Sequence, residues 1–393
     1  MKPIAVLLSL SLLLGTAALP AMAAETTEET VMTYPSDAVA WEELEERIRG
    51  GSLQARALRE SEARIDSINY TLLYEDLRKQ LNNLASYQWA LCQMGNSAGA
   101  DNLQKSYDAL RDTFDDLKDG KVQKDNGDVV RQLENGVDQV VIAGEGLYLT
   151  LLSLEDSLAD GERGLAALDR SLAEARLRQK LGQVPSQTVH DLERKREDAV
   201  VGLETLKSNI LNGKLQLQRL LGVEPTGVLT LAPLPESETA ERDPEADLAA
   251  AKETSWALYS AELTLEDARE EWKDAKDDHP TGYQRDMADH AWNAAQIQYE
   301  STVKEFEAGF QSLCRTLEND ERALANQESA LRYQENQLAL AQVRYGLGLI
   351  SRYALLNAQD AVETARSQVK AAKLQLFTDQ NRYRNAVEYG ILN

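Results

Sequence analysis

Over long stretches of this chain, apolar and small residues recur alternately three and four positions apart, and that spacing leaves few folds open. In a helix of 3.6 residues per turn, such positions form one stripe, which must be buried against a partner helix. From Leu192 the stripe runs Leu192, Ala199, Leu203, Leu206, Ile210, Gly213, Leu217, Leu220. The C-terminal stretch repeats the rule with Leu355, Ala358, Val362, Ala365, Val369, Ala372, Leu376 and Tyr383. Large residues alternate with small ones along this seam, and small residues let neighbouring helices approach closely. A third stripe, Phe310, Leu313, Leu317, Leu324, Leu331, Leu338, Ala341, Tyr345, predicts one helix from about Tyr283 to Leu347. At 1.5 Å per residue it would be on the order of 90 Å long.

Helix breakers are few: Gly50-Gly51, Gly95 to Gly99, Gly120 to Gly127, Gly182 to Ser186, Gly222 to Pro235, His279 to Gly282, and Gly346 to Ser351. They divide the chain into about six long helices. Val228 to Pro235 reads as a short extended segment, and the acidic Glu236 to Glu245 as a linker. With only 4 Phe and 5 Trp in 393 residues, the composition favours packed rods over a globule. The expected class is all-α, with long antiparallel coiled-coil helices and little or no β structure.

The first residues have the charged, apolar and small-residue order of a secretory signal: Met1-Lys2-Pro3, an apolar run from Ile4 to Leu14, then Ala21-Met22-Ala23. A leader over residues 1–23, an N-terminal linker over 24–36 and an exported protein are therefore expected. No Cys follows the leader to carry a lipid anchor, and no later stretch reads as apolar enough to span a bilayer. Cys92 and Cys314 each sit alone in a helical pattern, compatible with one disulfide or with two buried thiols.

Several chemistries lack the residues they need. With 65 acidic and 42 basic residues, the formal charge of −23 repels phosphate backbones, so no nucleic-acid partner is expected. The three histidines, His190, His279 and His290, are unpaired, so no metal, cofactor or catalytic residue is assigned. Gly346-Leu347-Gly348 has no preceding strand to make it a nucleotide loop.

The chain also repeats itself. A shift of 166 residues places Ala175 on Ala341, Arg178 on Arg344, Leu181 on Leu347, Gly182 on Gly348 and Val184 on Ile350. Trp41 to Ile65 and Asp247 to Trp272 open the two copies as acidic, alanine-rich helices. The copies are expected at 37–235 and 236–393. At each turn a Gly would end one helix in the left-handed conformation, with Ser186 and Ser351 capping the helix that follows.

The run Ala341-Gln342-Val343-Arg344-Tyr345-Gly346-Leu347-Gly348-Leu349-Ile350-Ser351, leading into Leu355-Leu356-Asn357-Ala358-Gln359, resembles the hairpin tip of TolC-type outer-membrane efflux proteins, with Ala175 to Leu192 a weaker version. The resemblance implies a trimeric α-barrel in the cell envelope. Its hairpin tips would meet a periplasmic-type adaptor (membrane fusion) protein, which works with an inner-membrane transporter. The contact residues so implied are Gly182, Val184, Ser186, Gly348, Leu349, Ile350 and Ser351. The same resemblance places membrane strands near residues 95–136 and 276–284, but neither window offers the roughly nine to eleven alternating residues a barrel strand needs. Leu103, Tyr107, Leu110, Phe114 and Leu117 read instead as a short acidic helix. A gate ring of acidic residues is also not expected, since the matching positions are Ala354 and Asn357. Asp360 and Glu363, a turn further on, are the alternative residues for such a ring, but they read first as a solvated heptad flank.

Overall fold

The computed structural model describes residues 38–235, 242–278 and 282–392. The leader, the N-terminal linker, His279 and most of the acidic linker lie outside them. Among the described residues there are ten helices and two strands: β1 (Ala38–Val39), α1 (Trp41–Gly51), α2 (Leu53–Asp66), α3 (Tyr70–Gln93), α4 (Ser97–Lys118), α5 (Lys121–Lys180), α6 (Ser186–Leu220), β2 (Thr230–Leu231), α7 (Pro244–Thr254), α8 (Trp256–Asp278), α9 (Tyr283–Gly346) and α10 (Arg352–Tyr389). The chain is all-α apart from β1 and β2, two residues each, which pair in parallel. The third heptad stripe predicts α9 to within a residue at each end. Its 64 residues give a length of about 95 Å.

Two compact units are present. Residues Ala57–Gly136 form one, a hairpin of α3 and α4 with adjoining parts of α2 and α5. Asn69 caps α3 by accepting from the Leu72 amide at 3.1 Å. The turn after α3 uses Gly95 at φ 72°, and Asn96 then caps α4 through the Gly99 amide at 3.0 Å. Leu77, Leu81, Ala100 and Leu117 are buried, and Tyr74 stacks on Phe114 with centroids 4.7 Å apart. The acidic helix expected over this window is therefore α4, and the break expected over Gly120 to Gly127 is confined to Gly120, with helix continuing from Lys121.

The other unit comprises residues 38–56 and those described from 137 onward. Every residue of the α6 and α10 stripes is buried or half-buried. The small positions are where helices come closest: a Cβ on Gly213 would lie 2.6 Å from Leu151 Cδ2, and one on Gly161 2.7 Å from Leu203 Cδ2. A second core gathers Ala251, Leu258, Phe306, Phe310, Leu317, Leu376, Tyr383 and Ala386 from α7 to α10. Tyr148 on α5 donates to the Ala232 carbonyl at 2.7 Å and lies 3.2 Å from that of Val39, so one buried phenol ties α5 to β1 and to the residue that follows β2. Burial, then the nearby Glu42 charge, push its pKa up to about 12.

Three sequence expectations are revised. The helices expected over Trp41 to Ile65 and Asp247 to Trp272 are each interrupted, and the break falls at Ser52 (φ −64°, ψ 123°) and Ser255 (φ −66°, ψ 115°) rather than at Gly50-Gly51. Both serines are buried and both restart the helix, with their hydroxyls 3.4 Å from the amides of Ala55 and Leu258. The acidic linker ends earlier than expected, since Asp243 caps α7 through the Glu245 and Ala246 amides. Finally, α5 does hold an 18-residue window apolar enough by composition for a bilayer, with mean hydropathy 1.3. Val140, Val141, Tyr148, Leu149 and Leu151 are buried within the unit, and 44% of the window is buried in all.

Candidate functional site

The α5–α6 and α9–α10 turns of the larger unit are built by the same backbone device. Gly182 and Gly348 each stand at φ 69°, a left-handed conformation that costs glycine little and other residues more. At the first turn the Gly182 amide donates to Gln179 O at 2.9 Å and Gln183 to Arg178 O at 2.9 Å. At the second, Gly348 donates to Tyr345 O at 2.9 Å and Leu349 to Arg344 O at 2.8 Å. These paired bonds close off the last carbonyls of α5 and α9 and fix the direction in which each chain leaves its helix.

Entry into the following helix differs between the turns. Ser351 caps α10, its Oγ accepting from the Ala354 amide at 3.2 Å. Ser186 does not cap α6: Pro185 holds that position with extended backbone (φ −72°, ψ 156°), and Ser186 is the first helical residue. The 166-residue shift itself puts Pro185, not Ser186, on Ser351. Proline lacks a capping side chain, so the first turn is held at this point by its fixed φ and by its carbonyl, which accepts from the Thr188 amide at 3.2 Å.

What the turns display is apolar. Leu347 and Leu349 are 68% and 69% exposed, and Leu181 on the first turn 64%. Val343 and Leu177, one turn back on α9 and α5, are exposed as well, while Val184 and Ile350 are half-buried. No Cβ built on Gly182 or Gly348 would meet another atom, so their surfaces are open. Beside the first tip the Arg176 guanidinium, 2.7 Å from Glu193, holds that carboxyl below its usual range, and His190 lies 3.3 Å from the same carboxylate.

Behind the tips a ladder of polar contacts joins α5 to α10, and nothing in the local sequence patterns announced it. Arg170 pairs with Asp360, Arg163 with Asp160 and Ser367, and Lys370 with Asp156. The Ser171 and Tyr353 hydroxyls lie 3.1 Å apart. Further along, Glu145, 3% exposed, accepts from Asn381 at 2.8 Å, Asn385 at 3.0 Å and Arg384 at 2.6 Å. Asp360 and Glu363 form a solvated flank, as expected, and are also paired: Asp360 is held by Arg170, and Glu363 lies 2.8 Å from Arg366 and 3.8 Å from Arg163. Cys92 and Cys314 are both free thiols, and burial raises the pKa of Cys314. Among the described residues no group of three or more His, Cys, Asp or Glu side chains is arranged to hold a metal.

No protein-family model matches this sequence, and no curated protein does. Solved structures do. The Campylobacter jejuni CmeC outer membrane channel aligns over 72% of this chain and 68% of its own, with 11% identity and a TM-score of 0.53. The outer membrane protein VceC of Vibrio cholerae aligns over 69% and 75%, with 15% identity and a TM-score of 0.43. CusC, described with transmembrane channel formation, aligns over 89% and 95%, with 12% identity and a TM-score of 0.47. On the likeness to CmeC, the chain has a TolC-like fold.

Proposed function

We propose that this protein is a TolC-like efflux component of the cell envelope, exported and non-catalytic, in which three copies enclose a helical conduit. Its tips, Gly182, Val184 and Ser186 with Gly348, Leu349, Ile350 and Ser351, dock onto a membrane-fusion adaptor serving an inner-membrane transporter. The observation that carries this reading is the tip geometry: two turns of identical backbone form present leucines to solvent on an otherwise acidic chain. Exposed apolar patches of this kind mark interaction surfaces. Large apolar residues exposed on the long helices, among them Val201, Leu211, Ile297 and Tyr333, support further burial between copies. Residues 37–235 and 236–393 are read as two copies of one unit, supported by the matching breaks at Ser52 and Ser255 and the matching turns at Gly182 and Gly348.

Two measurements test this. The double variant Gly348→Asp with Ile350→Asp is expected to lose capture by the cognate adaptor while keeping wild-type helicity by circular dichroism; unchanged capture sinks the tip assignment. Light scattering coupled to size exclusion on the purified protein is expected to give the mass of a trimer. A monodisperse monomer would remove the conduit, because one protomer cannot enclose a channel, and would leave a coiled-coil spacer in its place.

A further inference from the structure

Helices α9 and α10 share a contact between two acids with no base between them. Asp320 sits on the buried side of α9, three residues after Leu317 and four before Leu324, both part of the core against α10. The residue is half-buried, but its Oδ2 is fully enclosed and meets no hydrogen-bond donor. What lies within hydrogen-bonding reach is the carboxyl of Asp379 on α10. Asp379 is 1% exposed and already engaged: its Oδ2 accepts from Gln375 at 2.6 Å and its Oδ1 from Arg382 at 3.0 Å.

The charged groups around this contact are occupied elsewhere. On α9, the neighbouring Glu321 pairs with Arg242, which precedes α7. From α7, Asp247 accepts from the Tyr383 hydroxyl at 2.5 Å. From α5, Glu145 is taken by Asn381, Arg384 and Asn385. Arg382 approaches Asp379 from the latter's own helix. Among the described residues no cation reaches Asp320. Two ionised carboxylates so placed repel each other, whereas one proton turns the repulsion into a hydrogen bond.

We propose that Asp320 and Asp379 share a single proton and so form an acid-stabilised clamp between α9 and α10, whose grip loosens as the pH rises. Burial, and then the facing Asp379, push the Asp320 pKa up to about 6. In the unfolded chain an aspartate titrates near 3.9. Between about pH 4 and 6 the folded state therefore holds a proton that the unfolded state has lost. The stability this contact supplies is complete below about pH 4 and is lost as pH rises through about 6, opposite in sign to an aspartate held by an arginine. The clamp joins the two helices that carry the second hairpin tip, and it stands whether or not that tip binds an adaptor.

The test is the melting temperature of the full-length protein from roughly pH 4.5 to 8, for wild type, Asp320→Asn and Asp379→Asn, with infrared spectra of the same samples. Asparagine keeps a donor toward Asp379 at every pH. Near pH 4.5 wild type and D320N are expected to melt together, and above pH 6 wild type is expected to fall below D320N by about 2–4 °C. A protonated-carboxyl band should fade through about pH 6 in wild type and be missing from both variants. Parallel melting curves, or no carboxyl band lost in that range, would overturn the proposal even if one variant failed to fold. So would a rise in wild-type melting temperature on adding Mg²⁺ or Na⁺ at pH 7.5 without such a band, since a bridging cation would then stand where the proton is placed.

Discussion

Gly222 and Gly348 have nearly the same backbone, φ 68° and 69°, yet alanine should cost very different amounts at the two. Around Gly348 a Cβ meets nothing, so Gly348→Ala adds only the left-handed penalty, about 1 kcal/mol. At Gly222 the same Cβ would lie 1.9 Å from the Gly51 carbonyl oxygen, backbone that cannot swing aside. Gly222→Ala should cost about 3 kcal/mol or more, the conformational penalty plus overpacking. Urea denaturation of the two variants checks this, and equal losses would show that the junction relaxes. The sequence pointed to glycines as turn-makers, and that held at Gly182 and Gly348. It gave no means of telling a glycine that needs only an angle from one that needs space, because the atom Gly222 avoids is over 170 residues away. The cap at the first turn was legible and misread: the repeat offset leads to Pro185, while the more familiar capping residue stands one position later.

The helices themselves were largely written in their spacing. The α6 and α10 stripes are buried or half-buried throughout, because a heptad seam is local information. Contacts that cross between helices far apart in sequence carry no such signature, and the knot around Glu145 is the clearest case. Its three partners on α10 lie more than 230 residues downstream, and a lone Glu in an acidic chain looks like any other. Glu145→Ala should lower the unfolding free energy by about 2–3 kcal/mol by stranding Asn381 and Asn385, with Arg384 partly rescued by solvent, while Glu145→Gln should recover roughly half. Thermal or urea melts of the pair decide it; equal melting of E145A and wild type would mean that water replaces the carboxylate. The seam permits a second test. Gly213→Ala drives a Cβ toward the flexible end of Leu151, and Leu151→Ala opens a cavity at the same place. The double variant should therefore lose less than the two single losses added together, by about 1 kcal/mol. Strict additivity would mean that α5 and α6 do not pack there as described.

The whole chain combines a charge of −23 with apolar residues left exposed along several helices, and these act in opposite directions on self-association. Salt screens repulsion beyond about 10 Å at 0.1 M while leaving apolar burial intact. The assembled fraction, read by light scattering at fixed protein concentration, should therefore rise as salt is added from low ionic strength toward about 0.3 M. A fall would mean that ion pairs hold the copies together. The all-α class could be read from periodicity, and the two-copy layout is a proposal that rests on repetition and on the matching breaks and turns. Helix α4 followed from a stripe of apolar residues broken by aspartates, and β2 falls inside the extended segment expected over Val228 to Pro235, whereas β1, two residues long, is shorter than any period. One junction bears on how such a chain can diverge. After α6 the chain returns so that Gly222 rests on the Gly51 backbone at the end of α1; after α10, Gly390 rests on the Thr254-Ser255 backbone at the end of α7. What meets at both places is main chain, which every residue type shares. Mutation can rewrite the side chains around these two joints without opening them, provided Gly51 and Gly222 survive at the first and Gly390 at the second. Two copies descended from one ancestor could lose nearly all their identity and still close the same way.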